Sequence, residues 1–460
     1  MAKRASDWEE VAAKKARLEE TAGAQAAAHA EPQAEFHAES HAAAQLDPQL
    51  DAQLESHAAS YAKTLQLARA GRNMFITGPA GCGKSYSLRG VYDELRQFKR
   101  VAVTASTGSA AHNLGLGAST MQSMFGFSEQ AKNPKASRLW AEYDVLIIDE
   151  CSMIGPKLFA LIDRLAKEAR RSGEPLGGMQ LILVGDFLQL PPVADKEEDK
   201  DAPTYIFETP LWHLLHLAVV SLKTPFRQRD PRFSSMLNRF RVGEPTAQDI
   251  EMLEANVPDP NLGPLVSLYS KNPEVDYNNN KELQLLPKPE YRWTPTITPE
   301  GKPFKDQIKK IQADYKPVVI RVGAPVMLTA NLSQEFGLVN GARGVVVDVK
   351  DNCPVVEVAS GRFAICPRQQ VHELFGGTVT VLYMPVALAW AMSIHKSQGQ
   401  SLDRVSVSCH GAFCPGQIYV GLSRATSLAG LDVKGLKKEF RSVGVCKKTV
   451  QFYQDIAKIK

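Results

Sequence analysis

Residues Gly78-Pro79-Ala80-Gly81-Cys82-Gly83-Lys84-Ser85 have the spacing of a phosphate-binding loop, with the apolar stretch Met74-Phe75-Ile76-Thr77 before them and a helix-compatible run from Tyr86 after them. Glycines at such spacing let the backbone curl so that successive N–H groups point at phosphate oxygens. The lysine then reaches the β- and γ-phosphates, and the serine hydroxyl reaches Mg2+. A helix starting at that point adds the positive end of its dipole. Gly78 to Ser85 are therefore the candidate residues for ATP. Downstream, Asp149 and Glu150 close the apolar run Val145-Leu146-Ile147-Ile148. Beside a phosphate loop, one carboxylate at a strand end holds the Mg2+ shell and a second polarises the attacking water. Asp149 fits the first role, with Ser85 as the other metal ligand, and Glu150 fits the second. Gln189 follows the apolar stretch Leu183-Val184, where an amide can sense the γ-phosphate or orient water.

These groups must be brought together by a sheet. From about residue 61 the chain alternates short apolar runs with helix-compatible segments, and Met74–Thr77, Arg100–Thr104, Val145–Ile148 and Leu181–Val184 read as strands. Each is followed by polar or glycine-bearing residues. This pattern predicts an α/β fold, a parallel sheet wrapped by helices with ligands at the carboxyl ends of its strands. Farther on, Val345–Val349, Pro354–Val358, Arg362–Ile365 and Thr378–Tyr383, separated by Asp351-Asn352, Ser360-Gly361 and Gly376-Gly377, predict a small barrel. Residues 284–317, rich in Pro and Lys, fit no particular element. Before residue 61 the sequence is dominated by Ala, Gln, His and Glu, and Glu39-Ser40-His41-Ala42-Ala43 recurs as Glu55-Ser56-His57-Ala58-Ala59. Residues 1–60 therefore read as a low-complexity, disordered arm, with the histidines at 29, 37, 41 and 57 in a solvated tail.

The chain has 460 residues, of which 44% are hydrophobic and 23% charged, enough to bury more than one core. No run approaches the length of a membrane span and no apolar segment follows Lys3-Arg4, so neither a membrane anchor nor a secretory signal is expected. The seven cysteines form no C-x-x-C pair and no zinc-ligand spacing, which points to a reducing compartment. Cys82, inside the phosphate loop, is expected to be oxidation-sensitive. The net charge of +4 conceals an acidic arm, with 5 Lys/Arg against 11 Asp/Glu in residues 1–60, and a basic body suited to a polyanion. Lys3-Arg4 followed by Lys14-Lys15-Ala16-Arg17 loosely has the form of a bipartite nuclear import signal, so the nucleus of the cell or of a host cell is expected, with the cytoplasm as the alternative.

The phosphate loop, Thr104–Ala111, Ile147–Glu150 and Gly185–Pro192 resemble, in order, the first four motifs of superfamily-one helicases, specifically the Pif-type (petite integration frequency) branch related to RecD. Phe226-Arg227-Gln228, Val322–Leu328 with Asn331 and Asn340–Gly344, Ala389–Asp403 and Gln417–Ala425 continue the series, so that the resemblance spans 72–430. It implies two RecA-like P-loop motor domains, 61–225 and 226–340 with 383–460, together with an SH3-like β insert at 341–382 and a small wedge near 193–210. It also implies an ATP-dependent DNA helicase that moves 5′-to-3′ on single-stranded DNA and unwinds duplex or structured DNA in replication, repair, recombination or telomere maintenance. The alternative is a single-strand-stimulated ATPase that remodels nucleoprotein without separating strands. The protein would act as a monomer, with a protein partner for the arm.

On the same resemblance, Arg227 and Arg424 would reach the γ-phosphate from the far side of the cleft, completing a catalytic set with Lys84, Asp149, Glu150 and Gln189. Thr104, Ser106, Thr107, Thr120 and Phe125 would meet DNA from the first domain, and His395, Lys396, Ser397 and Gln398 from the second. Hydroxyls, amides and cations suit the phosphates and flat rings suit the bases. Phe125 and Phe127 also have the alternation of core residues, and His395 that of a buried histidine. The chain departs from the family pattern at three points. Tyr61 stands where the family has an adenine-reading glutamine, with Gln66 displaced from it. Gln122 stands where His is common, and Ser393 replaces a frequent Thr, both with hydrogen-bonding capacity retained.

Overall fold

Four consecutive buried residues form β1 (Met74–Thr77), and β4 (Val145–Asp149) and β5 (Gln180–Gly185) are buried along their whole lengths. Such unbroken apolar runs belong to strands covered on both faces, as parallel strands are. In the computed structural model they join β2 (Val101–Ala105), β3 (Ser119–Thr120) and β6 (Ala218–Ser221) in one six-stranded sheet of order β3-β2-β4-β5-β1-β6, all parallel. The structure describes residues 48–106, 110–111, 114, 116–125, 139–192, 204–301, 305–333, 335–374 and 377–458. Of the two compact units, Met1–Asp51 and Ala52–Lys460, the second carries every element that positions the site. The register pairs Thr77 with Gly185 and Ala105 with Asp149. Phosphate loop, acidic pair and Gln189 segment therefore leave the sheet on one edge.

A second parallel sheet starts with β7 (Val266–Tyr269), and an antiparallel region intervenes before it is completed. That region comprises β8 (Tyr291–Trp293), β9 (Thr296–Gly301), β10 (Val318–Ile320), β11 (Pro325–Leu328), β12 (Arg343–Lys350), β13 (Cys353–Val358), β14 (Gly361–Ala364), β15 (Arg368–Leu374), β16 (Gly377–Tyr383) and β17 (Val386–Leu388). β18 (Ala391–Ser393), β19 (Val405–Ser408) and β20 (Leu431–Lys434) then complete the second sheet in the order β18-β7-β19-β20, again all parallel.

The antiparallel strands divide differently from the barrel expected at 341–382. β12, β13 and β14 lie in a five-stranded sheet with β11 and β17, whereas β15 and β16 pair with β9. The Pro- and Lys-rich stretch thus supplies β8, β9 and the helix Lys305–Asp314. Alternation of apolar residues marks each strand but leaves its partner open. Trp293, buried with Val326, Val346 and Val356, ties the region together by donating from Nε1 to the Asn352 carbonyl at 2.8 Å.

Two boundaries also move. The helix Pro48–Arg69 begins inside the span assigned to the arm, because Ala and Gln are strong helix formers as well as low-complexity residues. Thr64 and Ala68 on this helix are fully buried. At the other end, the helix Lys447–Lys458 packs on the first sheet's core and not on the second. The Phe452 ring stacks on Phe207 at 4.2 Å and meets Phe75, Phe187 and Trp212 within 6.2 Å. Tyr453 Oη accepts from the Phe187 N–H at 3.1 Å, shares a 2.6 Å hydrogen bond with Thr77 Oγ1, and its ring lies 5.0 Å from the Arg241 guanidinium. The C-terminal helix is thus a strap across the core of the first sheet. Phe452→Ala is expected to cost roughly 2–3 kcal/mol, less than for a fully buried ring, measurable by denaturant unfolding. Of the wedge expected near 193–210, residues 193–203 lie outside the described residues, and Tyr205, Ile206 and Phe207 are buried. Among the described residues no helix is long and apolar enough to cross a membrane.

Candidate nucleotide site and nucleic-acid interface

The phosphate loop leaves β1 and turns into the helix Lys84–Leu95, with Gly83 in the left-handed region at the helix start. Lys84 Nζ folds back on its own loop and donates to the Gly78 and Pro79 carbonyls at 2.8 Å each. Ser85 is exposed to the cavity. Cys82 differs from expectation, because it is 1% exposed and burial pushes its thiol up, away from the reactive thiolate form. At Gly81 (φ +77°) a Cβ would lie 2.5 Å from the Arg227 Cβ. Glycine there lets Arg227 enter the site, and the Phe226 N–H donates to the Gly81 carbonyl at 2.8 Å.

At the end of β4, burial and the neighbouring Glu150 carboxylate push the Asp149 carboxyl up to about 7. Glu150 sits in the left-handed backbone region (φ 50°), an uncommon conformation for a non-glycine residue that concentrates at active sites. Ser106, whose N–H donates to the Asp149 carbonyl, and Ser152, two residues past Glu150, have buried hydroxyls with no hydrogen-bond partner among the described residues. A pair of buried carboxylates edged by unsatisfied hydroxyls suits a hydrated divalent cation. Gln189 is 4% exposed and its amide donates to Asp186 Oδ2 at 3.3 Å. Burial alone would raise the Asp186 carboxyl. The bidentate Arg241 guanidinium, at 2.8 Å on both oxygens, holds it below its ordinary value.

Across a cavity of 680 Å³ that Lys84, Glu150 and Gln189 line on one side, Arg227 and Arg424 line the other. Arg227 donates from Nε to Ser401 Oγ at 2.8 Å, from Nη1 to the Ser423 carbonyl at 3.1 Å and from Nη2 to the Gly399 carbonyl at 3.2 Å. Arg424 is 1% exposed, and burial together with the nearby Arg227 pushes its guanidinium down to about 9. Two crowded guanidiniums and a lysine facing one cavity call for an anion with several charges. Gly416 (φ +76°) brings the helix Gln417–Leu422 against the other side, since a Cβ there would lie 2.3 Å from the Gln189 carbonyl oxygen. Tyr419 on that helix accepts a hydrogen bond from the Ala80 N–H at 2.9 Å.

The residues expected to meet DNA fall into two groups. His395 is half-buried and Lys396 exposed, and the His395 ring stacks on the exposed Phe413 at 5.6 Å and 11°. Phe413 had no motif to mark it. Thr120 is half-buried, and Thr107 lies outside the described residues. Phe125 is a correction, being fully buried and stacked on Trp140 at 3.9 Å, so it serves the core and offers no face to a base. Thr104 is fully buried, its hydroxyl donating to the Ile147 carbonyl at 2.9 Å. Ser397 is likewise enclosed, donating to the Ile394 carbonyl at 2.8 Å. Gln398 turns inward, and its amide donates to Glu150 Oε2 at 3.0 Å.

The sequence profile described as PIF1-like helicase matches residues 57–249, and that of the DNA helicase Pif1 2B domain matches 304–349. The chain is 37% identical to the ATP-dependent DNA helicase PIF1 of Danio rerio over 80% of its own length and 59% of the relative's, and 34% identical to that of Homo sapiens over 81% and 60%. It spans about three-fifths of the length of these curated relatives. The crystal structure of the Candida albicans Pif1 helicase superposes with a TM-score of 0.78 at 33% identity, covering 86% of this chain and 98% of that one. The chain belongs to the PIF1-like helicase family. A Bacteroides Pif1 in complex with ADP-AlF3 and ssDNA superposes at 0.69 with 27% identity, covering 86% and 96%.

One feature of this PIF1-like chain escaped sequence reasoning. Tyr61 packs against Gly90, where a Cβ would lie 2.1 Å from its hydroxyl. His57, one turn earlier and grouped by composition with the arm, lines the cavity instead. Its ring meets Phe226 edge-on at 4.6 Å and Tyr86 at 6.1 Å, and its Nε2 is buried without a partner among the described residues. This is a niche for a flat ring carrying a hydrogen-bonding edge. His57→Ala is expected to raise the KM for ATP about fivefold with kcat unchanged, read from steady-state ATPase assays.

Proposed function

We propose that this chain is an ATP- and Mg2+-dependent DNA helicase that tracks 5′-to-3′ along single-stranded DNA. The observation that carries the reading is the single cavity in which Lys84, Glu150 and Gln189 face Arg227 and Arg424. Ser85 and Asp149 would hold Mg2+, which when bound neutralises charge on the phosphates. Lys84 exchanges its loop carbonyls for phosphate oxygens, Glu150 accepts the proton of the attacking water, Gln189 orients that water, and the two arginines steady the charge on the transferring group. His57 and Phe226 flank the base. His395, Lys396 and Phe413 offer a cation and stacked rings to a single strand. In support, solved relatives include a Bacteroides Pif1 bound to ssDNA and a pair of Pif1 helicases on forked dsDNA.

The test is ATP-driven strand separation on two otherwise equal duplexes, one with a 5′ and one with a 3′ single-stranded tail, using Lys84→Ala as control. Only the 5′-tailed duplex should open, and the control should open neither. DNA-stimulated hydrolysis without opening of either duplex would replace the helicase with a translocase.

A further inference from the structure

The turn His395–Ser401 faces two ways. Outward it carries the half-buried His395 and the exposed Lys396. Inward, Gln398 reaches across to the first domain and donates to Glu150 Oε2 at 3.0 Å, with the two side chains only 5% and 9% exposed. The same turn receives both arginines. Ser397 and Gln400 offer their carbonyls to Arg424 Nη1 at 3.3 Å each, while Gly399 and Ser401 take Arg227 at 3.2 and 2.8 Å. It is also short and internally bonded. The Gln398 N–H donates to the His395 carbonyl at 3.3 Å and the Gln400 N–H to the Ser397 carbonyl at 3.0 Å, so a shift of His395 is carried directly into Gln398.

On the reading of the protein as a DNA-stimulated ATPase, we propose that Gln398 is the positioning residue through which a bound strand controls hydrolysis. In the arrangement described, its amide holds the Glu150 carboxylate toward the turn, occupying an oxygen that the attacking water needs. A strand that engages His395 and Lys396 moves the turn, withdraws the amide and frees Glu150, while the arginines seated on the same turn move with it. Base and fingers are thereby set by one element. The deep burial of Gln398 excludes a direct contact with the strand in the described geometry, and Glu150 is its one side-chain hydrogen-bond partner among the described residues.

The experiment compares wild type with Gln398→Met, which keeps the length and removes the donor, and with Gln398→Leu, which removes the donor with a different shape. Hydrolysis is measured with and without a saturating oligo-dT, alongside the KM for ATP, the oligo-dT affinity and the melting temperature. Both variants should raise the DNA-free kcat about tenfold, as expected for release of a charge-assisted hydrogen bond, and leave the DNA-saturated kcat, the KM and the oligo-dT affinity unchanged. The stimulation ratio then collapses. A ratio unchanged in folded variants overturns the proposal, and so does an equal fall of both rates, which would make Gln398 an aligning group. Failure of wild type to hydrolyse ATP under any condition would instead overturn the functional reading beneath it.

Discussion

Glu150→Gln is expected to lower ATP turnover by about two to four orders of magnitude while leaving ATP and single-stranded DNA bound. The substitution keeps the shape and removes only the capacity to take a proton. Its amide oxygen can still accept the Gln398 hydrogen bond that now reaches Glu150 Oε2 at 3.0 Å, so the contact between the β4 end and the His395–Ser401 turn survives. The left-handed backbone at this position (φ 50°) asks no more of glutamine than of glutamate. Asp149 gains, since the Glu150 carboxylate is one of the causes that raise its carboxyl to about 7. With that neighbour neutral, Asp149 ionises more readily and its hold on Mg2+ strengthens. Single-turnover hydrolysis and equilibrium binding of a fluorescent ATP analogue separate the two effects. Turnover equal to wild type would remove Glu150 from the role of base.

The convergence of the phosphate loop, Glu150 and Gln189 on one cavity was legible because each of these groups is placed by local geometry. A phosphate loop needs glycines at set spacing, and the strand ends that carry Asp149 and Gln189 announce themselves as apolar runs stopped by polar residues. The parallel first sheet followed from the same runs. Less could be read where partners are distant in sequence. Nothing local ties β9 to β16 or Phe452 to Phe207, because a half-apolar strand or helix states that it needs cover without naming the cover. Composition misled at His57, where an Ala-, Gln- and His-rich stretch reads as arm and yet folds as the helix Pro48–Arg69. Phe125 and Thr104 show the converse, since a motif places a residue near DNA but cannot say which way its side chain points. Gln398 sits in a motif for that interface and faces the other way.

Arg424→Lys is expected to lower kcat by a factor on the order of 10³ or more, the loss seen when an arginine finger is removed from phosphoryl transfer. Lysine keeps the charge and forfeits the planar fork, and here the fork does two jobs. Nε donates to the Val420 carbonyl at 2.8 Å, Nη1 to the Ser397 and Gln400 carbonyls at 3.3 Å, and Nη2 to Ser423 Oγ at 2.8 Å. Those four bonds hold the guanidinium in place and leave one N–H, on Nη2, for the cavity that Arg424 lines. A lysine ammonium cannot span them, so the cation is present but unaimed. Arg424→Ala would lose the same rate and also remove the four hydrogen bonds of the buried guanidinium, although the Val420 and Ser397 carbonyls keep the Ser423 hydroxyl and the Gln400 N–H. The added instability of about 1–3 kcal/mol is one that Arg424→Lys, with its cation in place, should share only in part. Comparing the two by melting temperature and by kcat therefore separates aim from scaffold. ATP affinity should change little in Arg424→Lys, because Lys84 and the loop N–H groups bind the ground state. A large loss of affinity with kcat preserved would assign Arg424 to binding, and hydrolysis restored to wild-type rates by lysine would show that charge alone, not the fork, is what the γ-phosphate requires.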